Sequence, residues 1–279
     1  MRLVRYGNLL SKLPGLIDET GQMRDLSRTI GDVNGDALWP DALDHIARIP
    51  LKDLAPVEQP VRLGPPVANI GKIIGVGLNY RDHAAEAKME VPKEPTLFLK
   101  ATSAVCGPAD DLVIPREGKS VDWEVELGVV IGTPGAYIEE QDALAHVAGY
   151  CVGIDFSERE FQFNRGGQGF KGKSADSFAP LGPWLVTEGI DPQALTLQLS
   201  VNGAIRQYGK TSEMIFSVAA LIAYISKFMS LQPGDVILTG TPAGVGMGMD
   251  PKTYLKAGDL VEATIEGLGT QTHRVINAA

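Results

Sequence analysis

Short apolar runs, rich in β-branched residues and separated by Gly, Pro and Asp, dominate the sequence after residue 66. β-Branched side chains fit the pleated surface of a strand, and Gly and Pro end such runs at turns. The runs occur at 72–77, 96–99, 111–114, 121–131, 147–155, 184–187, 195–201, 235–239 and 260–265. We therefore predict a mainly β, α+β fold in which sheets pack on each other or close into a barrel.

Two segments within this part of the chain predict helices. The first is "YRDHAAEAKM", at about 80–89. The second is "SEMIFSVAALIAYISKFM", at 212–229, where Ser212 is a suitable N-cap. Because the apolar face of the second helix is wide, we expect it to pack against a sheet.

The first 66 residues differ in character from the rest. They mix short apolar runs with the polar turns "DETGQ" and "GDVNGD" and a predicted helix, "WPDALDHIARI". A segment with Pro56, Pro60, Pro65 and Pro66 follows, and such proline spacing is typical of a linker. We predict a small N-terminal α/β domain at 1–66 and a larger domain at 67–279.

Composition excludes several classes of protein. The net charge of −9 and the lack of a basic cluster argue against nucleic-acid binding. No apolar run reaches the length of a membrane span, and the first residues lack the apolar core of a secretory signal. Cys106 and Cys151, the only cysteines, show no metal or redox spacing; we expect buried fillers and a reducing cytoplasm.

Two nucleotide-binding patterns are present but lack the required context. "GQGFKGKS", at 167–174, matches a P-loop, yet the polar "SEREFQFNR" precedes it and two prolines follow it closely. "GVGLNY", at 75–80, starts like a dinucleotide fingerprint but has Tyr80 in place of the third glycine. We predict no nucleotide site at either position, so Lys173 requires another explanation.

The predicted strand "SVDWEVELGVVIG" carries Asp122, Glu124 and Glu126 among apolar residues. Alternation places all three carboxylates on one face. Two carboxylates about 6 Å apart repel by roughly 3 kcal/mol at an effective dielectric of 20. Either this face is solvated, or the acids bind a cation. Asp155 ends a neighbouring apolar run and could complete a set of oxygen ligands for a hard cation such as Mg²⁺, Mn²⁺ or Ca²⁺.

His83 and Glu86 are three residues apart in the first predicted helix, so they share a face and can hydrogen-bond. Such a pair is either a surface ion pair or a general base with its orienting carboxylate. His45, His146 and His273 have no comparable partner nearby in sequence, and we expect them to be structural.

Seven ordered blocks together resemble the fumarylacetoacetate hydrolase family from about residue 70 onward. They are "GVGLNYRDHAAE", "FLKATSAVCGPAD", "VDWEVELGVVIG", "GYCVGIDFSERE", "KGKSADSFAPLGPW", "TSEMIFSVAALIAYIS" and "PGDVILTGTPAGVG". The N-terminal region looks like the small extra domain of the bacterial acylpyruvate and sugar-acid branch. The resemblance implies a mixed β-roll, usually a homodimer, with the larger domain catalytic.

The resemblance also implies roles for individual residues. The metal ligands would be Glu124, Glu126 and Asp155, with Asp122 either beside them or solvated. The water-activating dyad would be His83 and Glu86, with Lys173 beside the metal. The substrate would be contacted by the following three side chains: Arg159, Gln162 and Thr241.

The implied reaction is Mg²⁺-dependent C–C hydrolysis of a small 2,4-dioxo acid to pyruvate and a second acid. We favour a 2,4-dioxo-3-deoxy-L-rhamnonate-type sugar acid, with fumarylpyruvate-type acylpyruvates second. Ureidoglycolate lysis, oxaloacetate decarboxylation or isomerisation on the same site are alternatives. A non-catalytic protein whose metal only clamps two strands is a further alternative.

Overall fold

Seventeen strands form most of the regular structure in the computed structural model, which describes all 279 residues. The strands are β1 Arg2–Gly7, β2 Lys12–Ile17, β3 Met23–Asp25, β4 Ile73–Gly77, β5 Thr96–Lys100, β6 Val105–Cys106, β7 Leu112–Ile114, β8 Val121–Asp122, β9 Val125–Ile131, β10 Val147–Ile154, β11 Ser157–Glu158, β12 Ala179–Val186, β13 Thr196–Val201, β14 Ala204–Lys210, β15 Val236–Leu238, β16 Leu260–Ile265 and β17 Gly269–Asn277. The helices are α1 Pro40–Ala47, α2 Arg81–Glu86, α3 Arg159–Asn164, α4 Phe170–Lys173 and α5 Val218–Ile225.

The strands pair into mixed sheets, which confirms the predicted fold class. One sheet has the order β3-β2-β1-β12-β10-β9-β15-β4-β5, with β6 added beside β12, and a second has the order β14-β13-β16-β17-β7. Most neighbours are antiparallel, while β15 and β4 are parallel. The inner strand β9 is buried along its whole length, as expected for a strand covered on both faces. Strands β14 and β17 were not predicted, because their alternating polar residues interrupt any apolar run.

The N-terminal segment joins the main sheet directly. Its strand β1 pairs antiparallel with β12, with Arg2 opposite Val186. The predicted helix in this segment is present as α1, where Pro40 occupies a position at the helix start that needs no N–H donor. Strands from before and after residue 66 therefore belong to the same sheet. The division into two domains at residue 66 remains a prediction.

The predicted helix at 212–229 was wrong in its first part. Helix α5 begins only after Ser217, whose hydroxyl accepts a hydrogen bond from Ala220 N at 3.1 Å; Ser212 is not the N-cap. Met214 instead forms an isolated bridge with Tyr80, and residues 215–216 form a bend. Asn79 takes the N–H groups of this bend: Ile215 N donates to Asn79 O and Phe216 N donates to Asn79 Oδ1, both at 2.8 Å. The helix predicted at 80–89 is also shorter, since Lys88 adopts a positive φ just after it.

The predicted strand at 120–132 is two strands. Residues Val121–Asp122 pair with Ser157–Glu158 in a separate two-stranded sheet, and the main sheet resumes at Val125. The P-loop-like segment follows a helix rather than a strand, as its polar flank indicated. Strands β4 and β5, on either side of α2, are antiparallel, so the dinucleotide-like segment lies outside any βαβ unit.

The helices of the structure are all too short or too polar to cross a lipid bilayer. Cys151 is fully buried, as predicted. Cys106 is only half-buried, and its thiol points to the carbonyl of Ser177. The prediction of a buried filler was therefore wrong in part for Cys106.

Candidate active site

Three buried carboxylates meet where β9 begins and β10 ends. One oxygen each from Glu124, Glu126 and Asp155 lie within 4.8 Å of one another. The antiparallel register causes this, since Asp155 N donates to Glu124 O at 2.9 Å and Gly153 lies opposite Glu126. The three residues are 6%, 1% and 0% exposed, so the alternative of a solvated acidic face is wrong.

Glu124 is held between two cations. Arg159 Nη2 contacts Glu124 Oε1 at 2.6 Å, and Lys173 Nζ contacts Glu124 Oε2 at 2.7 Å. Burial alone would raise the pKa of the Glu124 carboxyl, but the charges of Arg159 and Lys173 outweigh it and hold the pKa well below its usual range. Glu124 is therefore ionised at neutral pH.

Asp155 is held between two lysines. Lys173 pairs with Oδ2 of Asp155, and Lys100 pairs with Oδ1 and also donates to Phe156 O at 3.1 Å. The Lys100 side chain is fully buried at the end of β5, and burial lowers its pKa while Asp155 opposes that shift. Lys100 is not among the site residues predicted from the sequence, although a lysine at the end of the strand "TLFLK" is a usable signal.

Glu126 has no such partner. Its carboxylate accepts one hydrogen bond, from Gly240 N at 2.7 Å, and forms no ion pair. Burial, together with the charges of Asp155 and Glu124, raises the pKa of the Glu126 carboxyl well above its usual range. A hard dication would relieve this repulsion, and the all-oxygen donor set fits Mg²⁺ or Mn²⁺.

Helix α2 supplies the His–Glu pair. His83 Nδ1 lies 3.0 Å from Glu86 Oε2, and the imidazole is largely buried. The charge of His83 also lowers the pKa of Glu124, so the pair lies near the carboxylate cluster. With Nδ1 turned to Glu86, the Nε2 atom is left for water or substrate.

One loop, residues 240–247, holds carboxylates of both groups through backbone N–H donors. The hydrogen bonds run from Gly240 N to Glu126 Oε2 at 2.7 Å, from Gly244 N to Glu86 Oε1 at 2.9 Å, from Gly246 N to Asp122 Oδ1 at 2.6 Å and from Met247 N to Asp122 Oδ2 at 3.0 Å. The cluster and the dyad are therefore fixed to the same piece of backbone. Of this loop, only Thr241 is among the site residues predicted from the sequence.

Glycine is required where this loop approaches its neighbours. Gly244 has a φ of +108°, and a Cβ atom there would lie 1.9 Å from Arg206 O. Gly240 has a φ of +97°, and a Cβ atom there would lie 2.7 Å from Asn79 Cβ. Since L side chains avoid these φ values, the glycines allow the loop to approach closely enough to donate its N–H groups.

The residues predicted to contact substrate make protein contacts in the structure. Arg159 begins α3 and joins Asp122, Glu124 and Gln162 through Nε at 2.9 Å, Nη2 at 2.6 Å and Nη1 at 3.0 Å. Asp122 is thus fully buried and ion-paired beside the cluster, and the solvated alternative is wrong. Thr241 Oγ1 donates to Val125 O at 2.8 Å, while its backbone N–H has no acceptor within the protein.

The other three histidines lie outside this cluster. His45 is exposed on α1. His146 and His273 each bond to a backbone carbonyl through Nδ1. His146 bonds to Thr133 O at 3.0 Å, and His273 bonds to Asp110 O at 2.7 Å. These contacts agree with the structural roles expected for them.

Comparison with known proteins gives a consistent result. The family model described as "Fumarylacetoacetate (FAA) hydrolase C-terminal" matches residues 72–276. One relative is a Burkholderia multivorans protein that is provisionally named a hydrolase. It is 54% identical to this chain over 274 residues, and the match covers 97% of both chains.

Solved structures agree with this assignment over the whole chain. The maleylpyruvate hydrolase of Sphingobium sp. SYK-6, in complex with manganese(II) and pyruvate, is 29% identical with a TM-score of 0.84 and full coverage of both chains. The 2-hydroxyhepta-2,4-diene-1,7-dioate isomerase of Mycobacterium marinum is 32% identical with a TM-score of 0.77, covering 100% of this chain and 99% of that one. The chain therefore belongs to the fumarylacetoacetate hydrolase family and is an enzyme with hydrolase-type activity.

Proposed function

We propose that this enzyme hydrolyses a C–C bond in a 2,4-dioxo acid, releasing pyruvate and a second acid, with Mg²⁺ or Mn²⁺ as cofactor. One observation carries the proposal. A buried cluster of three carboxylates that could hold a cation and a His–Glu pair both accept hydrogen bonds from the loop 240–247, through Glu126 and Glu86. A metal that only clamped two strands would need no such pair.

The proposed metal ligands are Glu124, Glu126 and Asp155. When bound, the dication would orient and polarise the oxygens of the substrate and offset their negative charge. The buried Glu126, which forms no ion pair, supports this assignment, because the charge of Lys173 and the N–H of Gly240 offset only part of its repulsion from the other two carboxylates. The manganese and pyruvate bound to the Sphingobium relative point the same way.

The proposed general base is His83. Glu86 orients the imidazole and stabilises its protonated form, while Gly244 N keeps Glu86 in place. His83 Nε2 takes a proton from water as the water oxygen adds to the distal carbonyl carbon. The C–C bond to the pyruvoyl fragment then breaks, and its electron pair becomes a pyruvate enolate.

Lys173 is proposed to offset the charge that develops on this enolate. Its ammonium lies at 2.7 Å from Glu124 and also pairs with Asp155, and these two carboxylates raise its pKa against the opposing effect of burial. Lys173 is therefore a fixed positive charge in a buried site, where such a charge is most effective. Protonation of the enolate carbon gives pyruvate, and the other fragment leaves as a carboxylic acid.

The distal end of the substrate is less constrained by the site. Gln162 and the free backbone N–H of Thr241 are proposed contacts, while Arg159 would act mainly by holding Glu124. A 2,4-dioxo-3-deoxy sugar acid was favoured from the sequence, whereas the maleylpyruvate hydrolase relative favours an unsaturated acylpyruvate. We propose testing both classes side by side.

A second candidate is isomerisation of a 2-hydroxy-dienoic diacid, favoured by the printed activity of the Mycobacterium marinum relative. That reaction moves protons but adds no water. Only hydrolysis therefore incorporates an oxygen atom from water into the carboxylate of a product.

The experiment is an assay of pyruvate release from a panel of 2,4-dioxo acids with Mg²⁺ or Mn²⁺, run in water enriched in oxygen-18. Hydrolysis predicts pyruvate formation and one oxygen-18 atom in the carboxylate of the second acid. Conversion of substrate without pyruvate release would support the isomerase instead. Failure to convert any member of the panel would contradict the proposal.

A further inference from the structure

A second cavity, of about 390 Å³, lies apart from the candidate active site. It is enclosed by the β13–β14 turn, residues 119–123 and the loop 252–259, and its lining contains none of the metal-ligating or dyad residues. A ligand of this cavity would therefore be a molecule other than the substrate.

The charge of the cavity lining is opposite to that of the protein. Four cationic side chains line it, against one carboxylate, in a chain with a net charge of −9. The cations are Lys119, Arg206, Lys252 and Lys256, and none of them takes part in an ion pair. Like charges gathered without counter-ions repel each other, so an anion among them is stabilising.

The single carboxylate does not neutralise this group. Asp259 Oδ1 accepts from Asn202 Nδ2, and Oδ2 accepts from Lys256 N, both at 2.8 Å. These contacts fix the loop and leave the cationic side chains of the lining without a carboxylate partner.

Arg206 also lacks the hydrogen-bond partners that a guanidinium with a buried N–H normally has. Its guanidinium makes no hydrogen bond within the protein, and its Nε atom is buried without a partner. A buried N–H without an acceptor is unfavourable, so such groups normally face a ligand, ion or water. Arg206 presents several donors in a planar fork that matches carboxylate and phosphate oxygens.

We propose that this cavity binds a small multiply charged anion, either a phosphate-bearing metabolite or a dicarboxylate. Trp123 lines the cavity, its Nε1 donates to Gly244 O at 3.0 Å, and Gly244 N in turn donates to Glu86. The bound anion therefore lies against the backbone that supports the proposed dyad.

The test is calorimetric titration of the protein, freed of metal by a chelator and then of the chelator by gel filtration, at constant ionic strength, with inorganic phosphate and, in a parallel arm, malonate. Arg206→Gln should raise the dissociation constant about tenfold or more, since a hydrogen bond to a charged group contributes about 1.5–3 kcal/mol. If the Arg206 variant fails to fold, the double variant Lys252→Gln/Lys256→Gln replaces it in the same titration, because it changes only exposed side chains. The matched control is Lys52→Gln/Lys93→Gln, which removes two exposed lysines elsewhere.

Binding of phosphate alone identifies a phosphate-bearing ligand, and binding of malonate alone identifies a dicarboxylate. In either case affinity must fall in the cavity variants and remain in the control. The proposal is overturned if the wild type binds neither probe, or if the cavity and control variants lose affinity equally.

Discussion

Replacing Lys100 by methionine should destabilise the metal-free enzyme strongly, because Lys100 is one of only two cations that compensate the buried charge of Asp155. Both side chains of this ion pair are completely buried. Methionine keeps most of the aliphatic length of lysine, so the change removes the charge and little of the packing.

The size of the effect follows from the burial. Removing one partner of a buried ion pair costs about 3–5 kcal/mol, because the other charge is left without compensation. Asp155 retains Lys173, so we expect the lower end, about 3 kcal/mol in the free energy of unfolding. For a domain of this size such a loss lowers the melting temperature by about 6–12 °C.

The assay is guanidinium unfolding in EDTA, with Lys52→Met as a control that replaces an exposed lysine. The double variant Lys100→Met/Asp155→Asn should lose less stability than the two single variants added together, because both charges are removed at once. A cost of less than about 1 kcal/mol for Lys100→Met, or simple additivity in the double variant, would show that Lys100 does not compensate the buried charge of Asp155.

Three further predictions concern the site and its surroundings. His83→Ala should lower kcat by about 10²–10⁴-fold with little change in KM, and an equal loss on oxaloacetate, whose decarboxylation needs no hydroxide, would assign His83 another role. Glu126→Gln should raise the melting temperature in EDTA, since it relieves a buried repulsion, yet abolish stabilisation by Mg²⁺; a normal response to Mg²⁺ would contradict the ligand assignment. Burial lowers the pKa of His273, so unfolding takes up a proton below about pH 6.5, and stability should fall on acidification through that range. Thermal melts from pH 8 to 5.5 should show a smaller decline for His273→Gln than for the wild type.

Features of the site that depend only on neighbouring residues follow from local sequence patterns. His83 and Glu86 meet because three residues make less than one helical turn. Glu124, just before β9, and Glu126, within it, are two positions apart, the spacing at which an extended chain turns side chains to the same side. The oxygen-only character of the cluster is also a property of residue type. These relations need no knowledge of what packs against the segment.

The contacts that hold the site together form between residues far apart in sequence and depend on the tertiary structure. Lys100 reaches Asp155 across 55 positions, and Gly240 reaches Glu126 across 114, which no local pattern encodes. The first part of the helix predicted at 212–229 is absent for the same reason, because Asn79 takes the backbone N–H groups of Ile215 and Phe216. Local propensity is a weak energetic preference, and long-range hydrogen bonds and ion pairs that satisfy buried polar groups override it.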